Sequence, residues 1–330
     1  MPVLSRIAAL ALLWLGVALS SAPLAAPASA QPIAGKPLKL VVPFGPGGSG
    51  DTIARLIALH LPERIGQPVV VENRMGAGGN IGADAVAKSD PDGSTLLMAA
   101  NYLAIAPGLY KKMSYDPIKD LAPVTLVGSI PMVLVVNPAV PARSVAELVA
   151  LAKAKPGDLA YATPGLGTST HLATELFKQQ AGIELRHVPY RANPLAMNDV
   201  IGGQIPVFFD FVTAGAPHVH AGKVRGLATT GRKRPPVLPE LPTMIEAGVA
   251  DFEATTWIAV FAAAGTPRNT IVRLHDEMAA ILALPAVKER LDTFGVDIAA
   301  AGPDQLAALL KSNTEKWGAV IAKAGIARLD

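Results

Sequence analysis

The chain contains no cysteine, and this absence excludes several kinds of chemistry at once. Disulfides, thiolate metal ligands, cysteine nucleophiles and the lipidated cysteine of a lipoprotein are all ruled out. Aromatic residues make up only 5% of the sequence, and lysine and arginine form no long run. The basic and aromatic surface of a nucleic-acid-binding protein is therefore missing, and we expect no nucleic acid among the partners.

The first thirty residues predict a secretory signal peptide. Arg6 is their only charge, residues 7–19 are apolar except for Gly16, and residues 28–30, Ala-Ser-Ala, fit a cleavage site. The apolar core is too short for a comfortable membrane span, and no later segment offers one. We expect cleavage after about Ala30 and a periplasmic protein that keeps about 300 of the 330 residues.

The mature chain is nearly balanced in charge, because loss of Arg6 lowers the formal charge from +3 to +2. Short apolar runs alternate with amphipathic stretches, which predicts an α/β fold with mainly parallel sheets. The alternation restarts after residues 130–136, and the C-terminal helices have no sheet of their own.

We therefore predict two lobes, each a mostly parallel sheet flanked by helices. Residues 31–132 together with 254–330 form lobe 1, and residues 133–253 form lobe 2. Ligands of such proteins bind where the loops at the carboxyl ends of parallel strands converge, often at the domain interface.

The most informative segment is KLVVPFGPGGSGDTIARLIA, residues 39–58, in which an apolar strand leads through glycines into a helix. This geometry directs backbone N–H groups at an anion. Gly45, Gly47 and Gly50 fit G-x-G-x-x-G, and Glu72 follows about twenty residues later, a pattern typical of an NAD-dependent enzyme. A carboxylate site without any cofactor fits the same residues, and the pattern leaves both interpretations open.

Four segments at predicted strand ends supply candidate ligand-binding residues. The glycine loop contributes Phe44, Gly47, Gly48, Ser49, Asp51 and Thr52. Asp51 can equally be only the N-cap of the following helix. Asn101, just after the third strand, can reach a ligand or simply close a turn.

The third segment is TPGLGTST, residues 163–170, and it contributes Thr163, Gly165, Thr168 and Ser169. Its glycines and three consecutive hydroxyl residues predict a second anion-binding helix N-terminus. One hydroxyl is expected to cap the helix, and at least one other to contact the ligand.

The fourth candidate is Asp210, which ends the apolar strand PVFFDFV. Burying a carboxylate is costly unless it is hydrogen-bonded. Asp210 can therefore serve the ligand, or it can hold loop N–H groups.

Metal and catalytic sites are weakly supported. His218 and His220 form a His-x-His pair, but they lie in a predicted exposed loop without further ligands. No G-x-S-x-G elbow is present. We predict no metal, no cofactor and no catalytic residue.

The chain resembles the tripartite tricarboxylate transporter substrate-binding receptors, the Bug/TctC family. The resemblance rests on PFGPGGSGDTIAR, VVENRMGAGGNIGADAVAK, YATPGLGTSTHLATELF, VPYRANPLAMNDVIGGQIPVFFD, LPTMIEAGV and FAAAGTPRNTIVRL, in this order along the mature chain. It implies a periplasmic two-lobe binding protein of the type II, Venus-flytrap kind. It also implies that a small carboxylate is captured between the lobes and delivered to membrane permease subunits.

The resemblance further implies that loop backbone groups, hydroxyls and bridging waters hold the ligand carboxylate. Residues 44–52 and 163–169 would surround it, with Asp210 on the facing strand. The family commonly has several Ser or Thr residues after the third strand, but this chain has AANYLAIAP, where Tyr102 and Leu103 make that wall bulkier and more apolar. The ligand's identity stays open among di- and tricarboxylates, amino acids, aromatic acids and nicotinate-like acids.

The sequence thus predicts a monomeric receptor without enzymatic activity. Pro46 in the glycine loop and the export signal favour a carboxylate over NAD as the bound anion. An NAD-dependent enzyme, and a sensory binding protein that acts on a signalling partner without a permease, are the alternatives.

Overall fold

Ten strands form one mixed sheet in the computed structural model, which describes residue 33 and residues 35–330. The predicted signal peptide, residues 1–30, lies outside the described residues. The strands are β1 (Leu38–Val42), β2 (Val69–Asn73), β3 (Thr95–Ala100), β4 (Leu121–Val136), β5 (Ala160–Thr163), β6 (Arg186–Pro189), β7 (Val207–Phe211), β8 (Arg225–Thr229), β9 (Thr255–Ala263) and β10 (Asp297–Ala301).

Ten α-helices alternate with these strands in the described residues. They are α1 (Ser49–Ile65), α2 (Asn80–Ala87), α3 (Tyr102–Leu109), α4 (Val145–Ala154), α5 (Ser169–Ala181), α6 (Asn193–Ile201), α7 (Val212–His220), α8 (Arg268–Leu282), α9 (Pro285–Thr293) and α10 (Pro303–Lys323). None of them is both long and apolar enough to cross a membrane.

The strand order is β2-β1-β3-β9-β4-β7-β5-β6, with β8 and β10 also paired to β4. β1 is parallel to β2 and β3, and β5 is parallel to β6 and β7. β4 and β9 are antiparallel to their neighbours. The α/β fold class is confirmed, but the sheet is mixed, because the chain passes outward along β4 and returns beside it along β9.

β4 is longer than the predicted strand over residues 130–136. Its first part pairs with β9 up to Pro131, and its second part pairs with β7 and β8 from Met132 onward. Pro123 and Gly128 obscured the first part in the sequence, since both residues are unfavourable in strands. The partner change falls at the boundary predicted between the two lobes, and the lobes themselves stay a prediction.

Two segments predicted as loops are helices. AANYLAIAP contributes α3, and the segment with His218 and His220 lies in α7. Each helix contains an internal proline, Pro107 or Pro217, a residue that ordinarily ends a helical pattern. Because of these prolines, the spacing of apolar residues did not predict either helix.

Apolar side chains cover both faces of the sheet. In β9, Trp257 and Phe261 belong to one buried cluster, whereas Ile258 and Val260 belong to the other. Successive side chains of a strand point to opposite faces, so one strand serves both cores. Full burial of a side chain such as Ile258, Val260 or Phe261 contributes about 1.5–3 kcal/mol, so burial on both faces stabilises β9 at the centre of the sheet.

Candidate functional site

A cavity of about 380 Å³ lies where the segments that follow β1, β3 and β5 meet. Ser49, Tyr102 and Ser169, the first residues of α1, α3 and α5, all line it. The volume falls within the range of roughly 300–1,000 Å³ typical of small-molecule sites.

Three helix N-termini therefore face one space. The residues that precede these helices, Gly48, Asn101 and Thr168, make no side-chain capping bond. The expectation that a hydroxyl caps α5 was wrong, because the Thr168 hydroxyl instead donates to the Gly165 carbonyl at 2.8 Å. The first N–H groups of a helix lack intrahelical partners and carry partial positive charge, so together these ends favour an anion.

The cavity wall is otherwise polar without charge, or apolar. Among the described residues that line it, none is Asp, Glu, Lys, Arg or His. Its hydroxyl and amide groups belong to Ser49, Asn80, Asn101, Tyr102, Tyr110, Thr168, Ser169, Thr170 and Thr256. Such a wall can hold a carboxylate through N–H and O–H donors and can surround an apolar body, without an arginine clamp.

Five of the predicted site residues lie on this wall: Phe44, Ser49, Asn101, Thr168 and Ser169. The Ser169 hydroxyl donates to Asn101 Oδ1 at 2.8 Å and so joins α5 to the start of α3. Asn101 Nδ2 donates to the Thr255 carbonyl at 3.3 Å. The ring of Phe44 packs edge-on against Tyr102, with ring centroids 5.4 Å apart.

The rest of the glycine loop, Gly47, Gly48, Asp51 and Thr52, lies off the wall. Asp51 is buried and accepts hydrogen bonds from Gly47 N at 3.0 Å, Arg55 Nε at 2.9 Å and Asn73 Nδ2 at 2.9 Å. The bond from Arg55, together with the other donors, lowers the pKa of Asp51 to about 2. Its charge therefore holds the loop in place, and Gly48, not Asp51, occupies the N-cap position.

Thr163 and Gly165 also lie off the wall, where they shape the second loop. Thr163 Oγ1 lies 2.6 Å from His187 Nε2, and Gly167 N donates to His171 Nδ1 at 2.9 Å. The two imidazole rings stack with centroids 4.3 Å apart. Burial lowers the pKa of His171 to about 3, so the ring is neutral and its Nδ1 can accept the Gly167 proton.

Asp210 is buried, and its Oδ1 accepts from Asn193 Nδ2 at 2.7 Å and from Phe211 N at 2.9 Å. Burial raises its pKa to about 6. Phe211, the next residue, lines the cavity, whereas Asp210 does not. These contacts match the second of the two roles predicted for Asp210, which is to hold neighbouring N–H groups. Direct contact between Asp210 and a ligand stays a prediction.

Several wall residues escaped the sequence analysis. Asn80, Ile105, Leu109 and Thr256 come from elements that local patterns do not connect. The wall does include Tyr102, as its bulk suggested, but Leu103 is buried elsewhere. Ile105 and Leu109 lie on α3, and they were missed because this helix was not predicted from the sequence.

The contacts of Glu72 do not support the interpretation of the glycine loop as an NAD site. Glu72, which would hold a ribose, lies 3.4 Å from Arg74 Nε and does not line the cavity. Within the described part of the chain, no three His, Asp or Glu side chains are placed to hold a metal ion.

Comparison with known proteins also favours a binding receptor over an NAD-dependent enzyme. The profile of the tripartite tricarboxylate transporter family receptor matches residues 53–326. The UPF0065 protein in the tcbD-tcbE intergenic region of Pseudomonas sp. (strain P51) is 43% identical over 289 residues, which are 87% of this chain and 86% of that protein.

Three solved structures share the fold over nearly their whole length. R. palustris Rpa4515 with adipate is 37% identical, with a TM-score of 0.77 over 89% of this chain and 99% of that one. The periplasmic binding protein BugD is 34% identical, with a TM-score of 0.74 over 89% and 99%. MatC (Rpa3494) from Rhodopseudomonas palustris with bound malate is 30% identical, with a TM-score of 0.73 over 87% and 99%.

Proposed function

Because the chain belongs to the tripartite tricarboxylate transporter receptor family, we propose that it is a periplasmic receptor for a small dicarboxylate. The ligand binds in the cavity at the three helix N-termini and is delivered to membrane permease subunits. The observation that carries the proposal is the meeting of these helix ends at a wall without charged side chains. A receptor that releases its ligand unchanged needs no catalytic group there.

The cavity favours a linear aliphatic dicarboxylate of the adipate type. One carboxylate would accept N–H and O–H donors at the first turns of α1 and α5, and the methylene chain would lie against Ile105, Leu109 and Ile258. The hydroxyls of Tyr102 and Thr256 are buried without a partner in the described residues, and a small shift of the wall on binding would let them serve the second carboxylate. A third carboxylate or an added hydroxyl would lose its water against apolar side chains, which is unfavourable.

Adipate should therefore stabilise the mature protein more than malate or citrate does. At a hundredfold excess over Kd, a ligand that binds only the folded state adds about 2.7 kcal/mol of stability. We would measure the melting temperature and binding heat of protein refolded to remove copurified ligand. Tight binding of NAD, with no response to any of these acids, would contradict the proposal.

Ser169→Ala is expected to weaken adipate binding by about tenfold, as loss of a hydrogen bond that leaves a buried acceptor unpaired costs 1–3 kcal/mol. The variant loses the donor to Asn101 and one hydroxyl of the wall. Ser144→Ala is the matched control, because Ser144 Oγ caps α4 by accepting from Glu147 N at 3.1 Å, away from the cavity. Calorimetry should show unchanged affinity for the control, and an equal loss in both variants would argue against the site.

The periplasmic location rests on the signal-peptide pattern and the permease partner on the family's description, while the monomeric state stays a prediction. Uptake of labelled adipate by cells with and without this protein tests delivery. Adipate binding without any effect on uptake would instead favour the sensory alternative.

A further inference from the structure

A second cavity lies on the other face of β9. It has a volume of about 530 Å³, and we call it the rear cavity; its wall includes Arg232, Glu253, Thr255, Trp257, Asp297, Lys316 and Trp317. Thr256 and Ile258 line the ligand cavity, whereas Thr255 and Trp257 line the rear cavity. Because successive strand residues point to opposite faces, β9 is a wall common to both cavities.

Lys316 is a cation of the rear cavity that lacks a carboxylate partner among the described residues. Its ammonium donates to the Glu253 carbonyl at 2.5 Å and lies 5.0 Å from the centre of the Trp317 ring. The Glu253 carboxylate pairs with Arg232 Nε at 2.9 Å instead. Among the ion pairs of the described residues, Lys316 has none, although burial is sufficient to lower its pKa.

The two indoles of the rear cavity point to the same chemistry. Trp257 and Trp317 are both buried, and neither indole N–H has a hydrogen-bond partner in the described residues. An indole nitrogen and an ammonium can only donate. Both indole nitrogens are shielded from solvent and would reach an occupant only after a shift of the wall, so Lys316 is the donor already available. The wall also carries the carboxylates of Glu253, which is paired with Arg232, and of Asp297. A carboxylate, which only accepts and carries the opposite charge, complements Lys316.

We propose that the rear cavity is a second binding site, for a small monovalent carboxylate, and that β9 couples it to the ligand cavity. An occupant would pair with Lys316 and contact Thr255 and Trp257 on one face of β9. The dicarboxylate would contact Thr256 and Ile258 on the opposite face. If binding at one site changes affinity at the other, the reverse effect is equally large.

Tryptophan fluorescence can test this proposal directly. The chain has three tryptophans, and Trp14 lies in the predicted signal peptide, so Trp257 and Trp317 alone report in the mature protein. We would titrate butyrate at constant ionic strength, with and without saturating adipate. The expected result is a saturable emission change that persists when adipate is present.

Lys316→Gln should weaken this butyrate response by at least about tenfold, because it removes a charge-assisted contact. Lys323→Gln, an exposed change on the same helix, should leave it unaltered. An absent or non-saturating response, or one that is equal in Lys316→Gln and wild type, would overturn the proposal. The comparison between variants does not require adipate to bind, so it fails or succeeds independently of the proposed function.

A second variant, Ser312→Glu, tests the proposal independently if Lys316→Gln folds poorly. Ser312 is exposed at the edge of the rear cavity, and Ser312→Glu would place a negative charge there. Butyrate should bind this variant about tenfold more weakly through like-charge repulsion. For the coupling, butyrate should change adipate affinity in the wild type beyond any change in Lys316→Gln, and identical changes would refute it.

Discussion

Gly167→Ala is expected to lower adipate affinity by about a hundredfold, the equivalent of about 2.7 kcal/mol. Gly167 has a φ of +72°, in the left-handed region that costs an L-residue roughly 1–2 kcal/mol. A Cβ there would also overlap the side chain of Leu109 on α3. Overpacking of this kind costs about 1–3 kcal/mol, a range that includes the expected loss, whereas the backbone strain lowers the stability of the free and the bound protein alike.

The overlap between a Cβ at position 167 and the Leu109 side chain should destabilise mainly the ligand-bound protein. Gly167 belongs to the predicted lobe 2 and Leu109 to the predicted lobe 1, so lobe opening would separate them. We therefore expect the unliganded protein to lose less stability than the complex. Calorimetric titration with adipate and urea unfolding of the free variant would measure the two terms.

Gly165→Ala is the matched control, because Gly165 also has a positive φ, +146°, but the nearest atom to a Cβ lies 3.9 Å away. It should show backbone strain without the overlap. Leu109→Val in the Gly167→Ala background should recover part of the affinity, a coupling that a double-mutant cycle isolates. Affinity of Gly167→Ala within twofold of wild type would show that the close approach of Gly167 to Leu109 does not control ligand binding.

Asp210→Asn should make stability strongly dependent on pH, with a loss of about 2 kcal/mol between pH 7 and pH 5. His171 has a pKa of about 3 when folded, against an ordinary value of 6.5 for a histidine in the unfolded chain. Below pH 6.5, His171 is therefore protonated in the unfolded chain but stays neutral in the folded protein. The free energy of unfolding falls as the pH falls. The pKa of His187 is also lowered by burial, which acts in the same direction.

In the wild type, Asp210 opposes this loss. Its pKa is about 6 when folded, against an ordinary value of 3.8 for an aspartate in the unfolded chain, so between these values the folded state binds the extra proton. Stability from Asp210 therefore rises as the pH falls from 6, by about 1 kcal/mol at pH 5. The two groups largely cancel in the wild type, and Asp210→Asn removes only the compensating one.

Urea unfolding at pH 7 and pH 5 measures both profiles. The asparagine can still accept the bonds from Asn193 and Phe211, so the fold should persist. A second change, His171→Asn, keeps an acceptor near Gly167 and should flatten the profile again. Parallel profiles of Asp210→Asn and wild type would show that these groups do not control the pH dependence.

Local patterns were enough for much of the fold. β9 is a continuous apolar run, TTWIAVFAA, and α4 begins after Ser144, whose Oγ accepts from Glu147 N, so a local pattern is sufficient for each of them. Both features depend on residues a few positions apart. By contrast, β10 was not predicted, and it exists through antiparallel pairing with β4, more than 160 positions earlier in the chain.

For the site, the sequence by itself predicted an anion-binding chemistry, from glycines and hydroxyls at strand ends with helix N-termini behind them. Those features arise within single strand–loop–helix units. Only the tertiary structure decided that Asp51 and Asp210 would face their own neighbours, and that Leu109 and Thr256 would complete the wall. The reason is distance along the chain, since Asn101 bonds the Thr255 carbonyl 154 positions away, and no local pattern encodes such a contact.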